Sequence, residues 1–140
     1  MFLIKIFLII SLITVPIKSD DRCPDLKEIS PCSCDLEGIS CFTIKTEDEL
    51  SKVFQAKTSV KAARAFWLNG TPIKTIKKGV FNEYKFQHIH LDKNLIEVVE
   101  SGSLNGSEDT LSSLSVYDNH LKQFPFSGKF LLITHTNYFH

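Results

Sequence analysis

The 140-residue chain lacks several features that would place it in common functional classes. Basic and acidic residues are balanced at 16 each, so no basic surplus is present to bind nucleic acid or an anionic membrane surface. The apolar run at residues 6–15 is shorter than the ~20 residues that a membrane-spanning helix needs. The four cysteines all lie between Cys23 and Cys41, so none remains elsewhere to act as a catalytic nucleophile.

The N-terminal apolar run has the organisation of a secretory signal peptide. Lys5 precedes the run, and polar residues follow it at 18–20. We predict a signal peptide over residues 1–18 with cleavage near Ser19, and an uncleaved signal anchor is the alternative. Cleavage removes two lysines and leaves 14 basic against 16 acidic residues. The expected product is a secreted, single-domain protein with no membrane insertion and a net charge of about −2.

The cysteines predict a disulfide-bonded N-terminal cap over residues 20–45. Their number is even and they are bunched just after the signal, as in small secreted domains. Four cysteines allow three pairings, of which a bond between Cys32 and Cys34 would be strained. A zinc site is the alternative, but the Cys-x-Cys spacing and the lack of a nearby histidine disfavour it. Residues 39–44 are rich enough in β-forming side chains to give one short strand.

A helix is predicted over residues 46–57. Thr46 and Glu49 have the spacing of a capping box, in which each side chain satisfies a free backbone N–H group. Leu50, Val53 and Phe54 then recur on one face of the helix, so we expect that face to be buried.

Residues 63–130 repeat one pattern three times. The stretch 86–99 fills every marked position of the leucine-rich-repeat pattern L-x-x-L-x-L-x-x-N-x-L-x-x-L. The stretch 111–124 fills it again, and 66–76 fits it less completely. A single repeat cannot bury its apolar edge alone. We therefore predict a short α/β solenoid with a parallel sheet along its concave face.

The polar positions of the pattern predict how each repeat bends. Asn94 and Asn119 follow the predicted strands, where a side-chain amide can bond backbone groups that the turn leaves unpaired. Thr71 replaces the asparagine in the first repeat. Because threonine has a shorter reach, we expect that bend to be looser.

After residue 130 the pattern stops. Residues 131–140 are predicted as a non-repeat tail, and a C-terminal cap is missing. Solenoids need a closing unit, and an open sheet edge invites pairing with another chain. Either the chain is a truncated form of a longer protein, without its own function, or the open third-repeat edge is covered by a partner or by self-association.

The cysteine spacing C-x8-C-x-C-x6-C resembles the N-terminal cap of extracellular leucine-rich-repeat proteins, although its first interval is longer than usual. That resemblance implies the disulfides Cys23–Cys34 and Cys32–Cys41.

The sequences PCSC at 31–34, GVF at 79–81 and LKQFPF at 121–126 resemble a narrower group. It is the arthropod family of secreted leucine-rich-repeat proteins similar to the non-catalytic subunit of Oplophorus-luciferin 2-monooxygenase. The resemblance covers about residues 23–130. It implies a secreted protein that is not an enzyme and needs no cofactor, and it does not imply bioluminescence.

Side chains between the core positions of the predicted strands face the concave side. The candidate binding residues there are Trp67, His88, His90, Asp92, Ser115 and Tyr117. Tryptophan and tyrosine are frequent binding anchors, although Trp67 can equally pack against the cap or the helix. The expected partner is an extracellular protein or glycoprotein. The alternative is a structural subunit that docks an enzyme or assembly through the open repeat edge.

Three other readings of this face are open. His88 and His90 with Asp92 could hold a zinc or copper ion, or the two histidines could sense pH, but a solvated polar surface is the simplest interpretation. Ser113 or Ser115 beside His90 could form a dyad, yet a flat sheet offers no oxyanion hole. We therefore predict no metal and no catalytic residues.

Two glycosylation sequons are present, Asn69-Gly70-Thr71 and Asn105-Gly106-Ser107. Asn69 is predicted at the concave rim, where a glycan would shield the neighbourhood of Trp67. Asn105 is predicted on the convex back, where a glycan is easily accommodated.

Overall fold

A computed structural model describes residues 22–58, 60–122, 124 and 131–133 of the chain. The predicted signal peptide at 1–18 lies outside the described residues, as does most of the tail. The described part is mixed α/β, with a mostly parallel sheet and two disulfides at its N-terminal end. Within it, no helix combines the length and the apolar character that crossing a membrane requires.

The described elements form one main sheet and a small second one. In chain order they are β1 (Ser33–Cys34), β2 (Gly38–Ser40), α1 (Glu47–Gln55), β3 (Ala62–Trp67), β4 (Thr75–Ile76), β5 (Lys85–His90), β6 (Val98–Val99), β7 (Ser113–Ser115) and β8 (Leu131–Ile133). The main sheet has the order β1-β2-β3-β5-β7-β8, and β4 pairs with β6. Apart from the antiparallel pair of β1 and β2, all of these pairs are parallel.

One row of apolar residues crosses the main sheet. Phe66 lies opposite Ile39 on one side and Ile89 on the other, and Ile89 lies opposite Leu114. All four side chains are fully buried. The core positions that the sequence pattern aligns are therefore neighbours in the sheet, and the chain between them makes a crossover each time.

The structure corrects the prediction for the C-terminal part of the chain. Leu131–Ile133 forms strand β8, which pairs with β7 and places Leu132 opposite Leu114. This strand arrives 18 residues after Leu114, whereas the pattern predicted the next core position near residue 135. The whole of 131–140 is therefore not a non-repeat tail, and the third-repeat strand β7 is not an open edge.

Helix α1 forms where the capping box predicts it. Thr46 accepts a hydrogen bond from the Glu49 N–H at 3.1 Å, and the Glu49 carboxylate accepts one from the Lys45 N–H at 2.7 Å. Leu50, Val53 and Phe54 are buried, as predicted from their spacing.

An aromatic cluster fills the space between α1 and the main sheet. The ring of Phe54 meets those of Phe66, Phe81, Tyr84 and Phe86 edge to face, with centroids 4.9–5.9 Å apart. Edge-to-face contacts stabilise aromatic pairs beyond the area that they bury. Phe81 belongs to the glycine-led turn at 79–81 and closes the core from the side opposite the sheet.

The disulfide cap is joined to the main sheet through β2. The bonds are Cys23–Cys34 and Cys32–Cys41, which is the pairing that the resemblance to extracellular caps implies. Strand β2 is shorter than the predicted 39–44, and it pairs in parallel with β3. Its Ile39 covers the first row of the core.

Candidate functional site

Two asparagines fix the chain where it leaves β5 and β7. The Asn94 amide nitrogen donates to the carbonyls of Leu68 and Leu91 at 2.5 and 2.9 Å, and its oxygen accepts from the N–H and the hydroxyl of Thr71. Asn119 likewise donates to the Leu91 carbonyl at 2.6 Å. The bends are therefore cross-linked from repeat to repeat. Thr71, expected to leave the first bend looser, is 4% exposed and bonded to Asn94.

The candidate binding residues lie together on one side of the main sheet. We call this side the polar face, and its members are Trp67, His88, His90, Asp92, Ser113, Ser115 and Tyr117. Trp67 lies opposite His90 in the register of β3 and β5, and His90 lies opposite Ser115 in that of β5 and β7. Alternation along the strands thus brings together residues from three repeats, as predicted.

Trp67 and His90 form an aromatic stack at the centre of the polar face. Their ring centroids are 5.6 Å apart and their planes differ by 7°. Trp67 is half-buried, and its carbonyl accepts a hydrogen bond from the Cys41 N–H of the cap at 2.8 Å. The indole therefore packs on the neighbouring strand, a contact that neither predicted alternative for Trp67 included.

Asp92 links two strands of the polar face. Its Oδ1 accepts from the Ser115 hydroxyl at 2.5 Å and from the Tyr117 N–H at 2.8 Å, while its Oδ2 lies 3.9 Å from Nδ1 of His90. Ser115 is only 6% exposed. It therefore positions Asp92, which corrects its prediction as a residue that meets a ligand. Tyr117 is 39% exposed.

His88 has a partner of its own. Its Nδ1 lies 2.8 Å from the Ser113 hydroxyl, so the serine–histidine contact forms at His88 and not at His90. For the metal alternative, His88, His90 and Asp92 would have to converge. Among the residues that the structure describes, no group of three histidine, cysteine or acidic side chains could hold a metal ion.

Burial changes the protonation behaviour of His90. It lowers the pKa of the imidazole below the ordinary value of 6.5, the nearby Asp92 raises it, and His88 lowers it further. The net shift is downward because removal from water disfavours the charged ring. His90 is therefore neutral at pH 7, and protonation of the stack requires acid.

We expect the fluorescence of Trp67, the only tryptophan, to fall on acidification with a midpoint below pH 6.5. A protonated imidazole stacked on an indole quenches its emission. Stability should also fall as the pH drops below 6.5, because the unfolded chain then binds more protons than the folded one. His90→Gln should abolish the fluorescence step, and the matched change His88→Gln should keep it. A midpoint at or above 6.5 would contradict the prediction.

The two sequons differ in their surroundings. Asn105 is exposed, whereas Asn69 is half-buried beside the polar face. The hydroxyl residues of both sequons are buried: Thr71 bonds to Asn94, and Ser107 bonds to the backbone at the start of β5. Each hydroxyl thus has a structural role, and a glycan at either site would have to be attached before folding.

The polar face is the candidate functional site. It combines the stacked rings of Trp67 and His90, the exposed Tyr117 and a carboxylate held in place by two hydrogen bonds. Such a surface can bind a ligand by stacking and by hydrogen bonding to Asp92. The chain matches no protein-family model, and comparisons with curated proteins and with solved structures found no match.

Proposed function

We propose that the chain is a secreted leucine-rich-repeat solenoid that binds an extracellular protein or glycoprotein through the polar face. In this proposal the polar face is the concave face of the solenoid. Its support is the repeat pattern, the parallel alignment of β3, β5 and β7, and the asparagines that bond one repeat to the next. The resemblance to the arthropod secreted family supports a role other than catalysis.

Secretion is part of the same proposal. Two disulfides close the N-terminal cap, and disulfides persist in oxidising compartments such as the extracellular space. The signal-peptide pattern at 1–18 supplies the route. Both observations fit an extracellular ligand.

The observation that carries the binding role is the Trp67–His90 stack beside Tyr117 and Asp92. Aromatic side chains give large contact areas, and they lose little entropy on binding if they are already held in place. Here the stack holds Trp67, and the Asp92 carboxylate holds the backbone of Tyr117. The surface is therefore organised before a partner arrives.

Site-specific photo-crosslinking tests this proposal. A photoreactive phenylalanine in place of Tyr117 should yield a defined adduct with a protein of the extracellular fluid, and His90→Ala should weaken that adduct. The same group in place of Asp109, exposed on the turn at 101–110, is the matched control and should yield none. Equal adducts from both positions, or none from Tyr117, would refute a binding role for the polar face.

Docking of an enzyme or assembly through the third-repeat edge is the other function that the sequence predicts. That edge belongs to β7, and β8 of the same chain already pairs with it. No described contact favours this alternative.

A further inference from the structure

The described polar groups of the polar face have used their hydrogen-bond donors internally. The Ser115 hydroxyl donates to Asp92, and the hydroxyl of Ser113 and Nδ1 of His88 engage each other. Asn69 lies beside this face, and the amide orientation that satisfies its surroundings donates to the carbonyls of Leu68 and His90 at 3.0 and 3.2 Å. These groups thus have little left to donate to a ligand.

Two acceptors remain beside the Trp67–His90 stack. Oδ1 of Asp92 takes both described hydrogen bonds of that carboxylate, and within the described residues none is made to Oδ2. Once the Asn69 nitrogen points inward, its side-chain oxygen is the second acceptor. Both residues lie two positions beyond the stacked pair, Asn69 after Trp67 and Asp92 after His90.

The negative charge of Asp92 has no internal counterpart. His90 is the closest basic group, but its nitrogen is 3.9 Å away, beyond hydrogen-bond distance, and burial keeps the ring neutral at pH 7. The described ion pairs of lysine and arginine lie elsewhere: Lys61–Glu83, Arg64–Glu37, Lys77–Asp48 and Lys122–Glu97. The Asp92 side chain is 18% exposed, so a partner can reach it.

We propose that the polar face binds an arginine side chain of its protein partner. The guanidinium group donates to Oδ2 of Asp92 and to the side-chain oxygen of Asn69, and it lies against the aromatic rings of Trp67 and His90. This inference rests on the proposed function, because it assumes that the polar face binds a protein.

The chemistry of the site favours arginine over the other ligands considered. A sugar ring offers hydroxyls that both donate and accept, whereas the open groups at Asn69 and Asp92 only accept. A guanidinium only donates, carries the charge that Asp92 lacks, and stacks on aromatic rings. A lysine ammonium has the charge but cannot stack as a plane or bridge two acceptors with fixed geometry.

Titration of the intact protein with small probes tests this inference. L-arginine amide should perturb Trp67 fluorescence with a dissociation constant of the order of millimolar, which is typical of a single anchoring group. L-citrulline amide, nearly the same shape without the charge, should bind at least tenfold more weakly, and L-lysine amide should fall between them. Methyl glucoside should not bind. The comparison of arginine with citrulline needs no variant, so it does not depend on any variant folding.

The matched variants are Asp92→Asn and Asp118→Asn. Each removes one negative charge, and the asparagine at 92 can still accept from Ser115 and Tyr117, so the fold should persist. Asp92→Asn should weaken arginine amide at least tenfold, and Asp118→Asn, exposed at the next bend, should have no effect. Equal affinity for citrulline, an unchanged Asp92→Asn variant or binding of the glucoside instead would overturn the inference. Crosslinking at Tyr117 reads the proposed function separately, so failure of one is distinguishable from failure of the other.

Discussion

Asn94→Ala is expected to lower the free energy of unfolding by roughly 3–5 kcal/mol. The change removes the partner of two carbonyls, at Leu68 and Leu91, and of the N–H and hydroxyl of Thr71. The site is 4% exposed, so water cannot replace the lost bonds, and each buried polar group left unsatisfied costs about 1–3 kcal/mol. Urea unfolding followed by circular dichroism measures the change.

Asn119→Ala is the matched control for this prediction. Asn119 occupies the equivalent position one repeat later, and it also bonds the Leu91 carbonyl, but it is half-buried. Water can therefore satisfy part of what it leaves, and we expect a loss of about 1–2 kcal/mol. If the two variants lose the same amount, burial of the Asn94 amide is not what stabilises the bends.

The positions of these asparagines and of the core row were predictable from the sequence. The spacing of Phe66, Ile89 and Leu114 directly reflects which side chains must enter one core, and the structure aligns them in the sheet. The backbone of the bends was less visible. Residues 70, 93 and 118 all have a positive φ, from 54° to 69°, but only the first is a glycine. Lysine and aspartate carry no comparable signal for that conformation.

Strand β8 was missed for a related reason. It has three residues, and it follows a crossover shorter than the earlier spacing of 23 to 25 residues between core positions. A pattern search at the earlier spacing therefore passes over it. Parallel pairing needs only a run of extended backbone beside β7, which Leu131–Ile133 supplies with apolar residues.

The candidate site was predicted in its membership but not in its contacts. Alternation along a strand determines which residues share a face, and that reasoning placed Trp67, His90 and Tyr117 together. Which groups then bond to one another depends on side-chain rotamers and on the neighbouring strand. The consumption of Ser115 by Asp92 and the stack on Trp67 are results of that kind. They decide which polar groups remain for a ligand.

Gly38→Ala is expected to cost about 3 kcal/mol or more and to loosen the attachment of the cap. Gly38 has a φ of +150°, and a Cβ built there would lie 2.0 Å from the carbonyl oxygen of Ala65. That atom belongs to the backbone of β3, so the clash can be relieved only if β2 and β3 separate. Removing the Ala65 side chain would not help, because its carbonyl would remain.

Gly79→Ala separates the two causes of this cost. Gly79 also has a positive φ, +67°, but nothing lies within 4 Å of a Cβ built there, so only the backbone penalty of about 1–2 kcal/mol is expected. Hydrogen exchange then locates the damage in Gly38→Ala. The N–H groups of Cys41 and Ala65, which bond across β2 and β3, should lose protection while the amides between β5 and β7 keep theirs. Uniform loss across the sheet would instead mean that the cap and the repeats unfold as one unit.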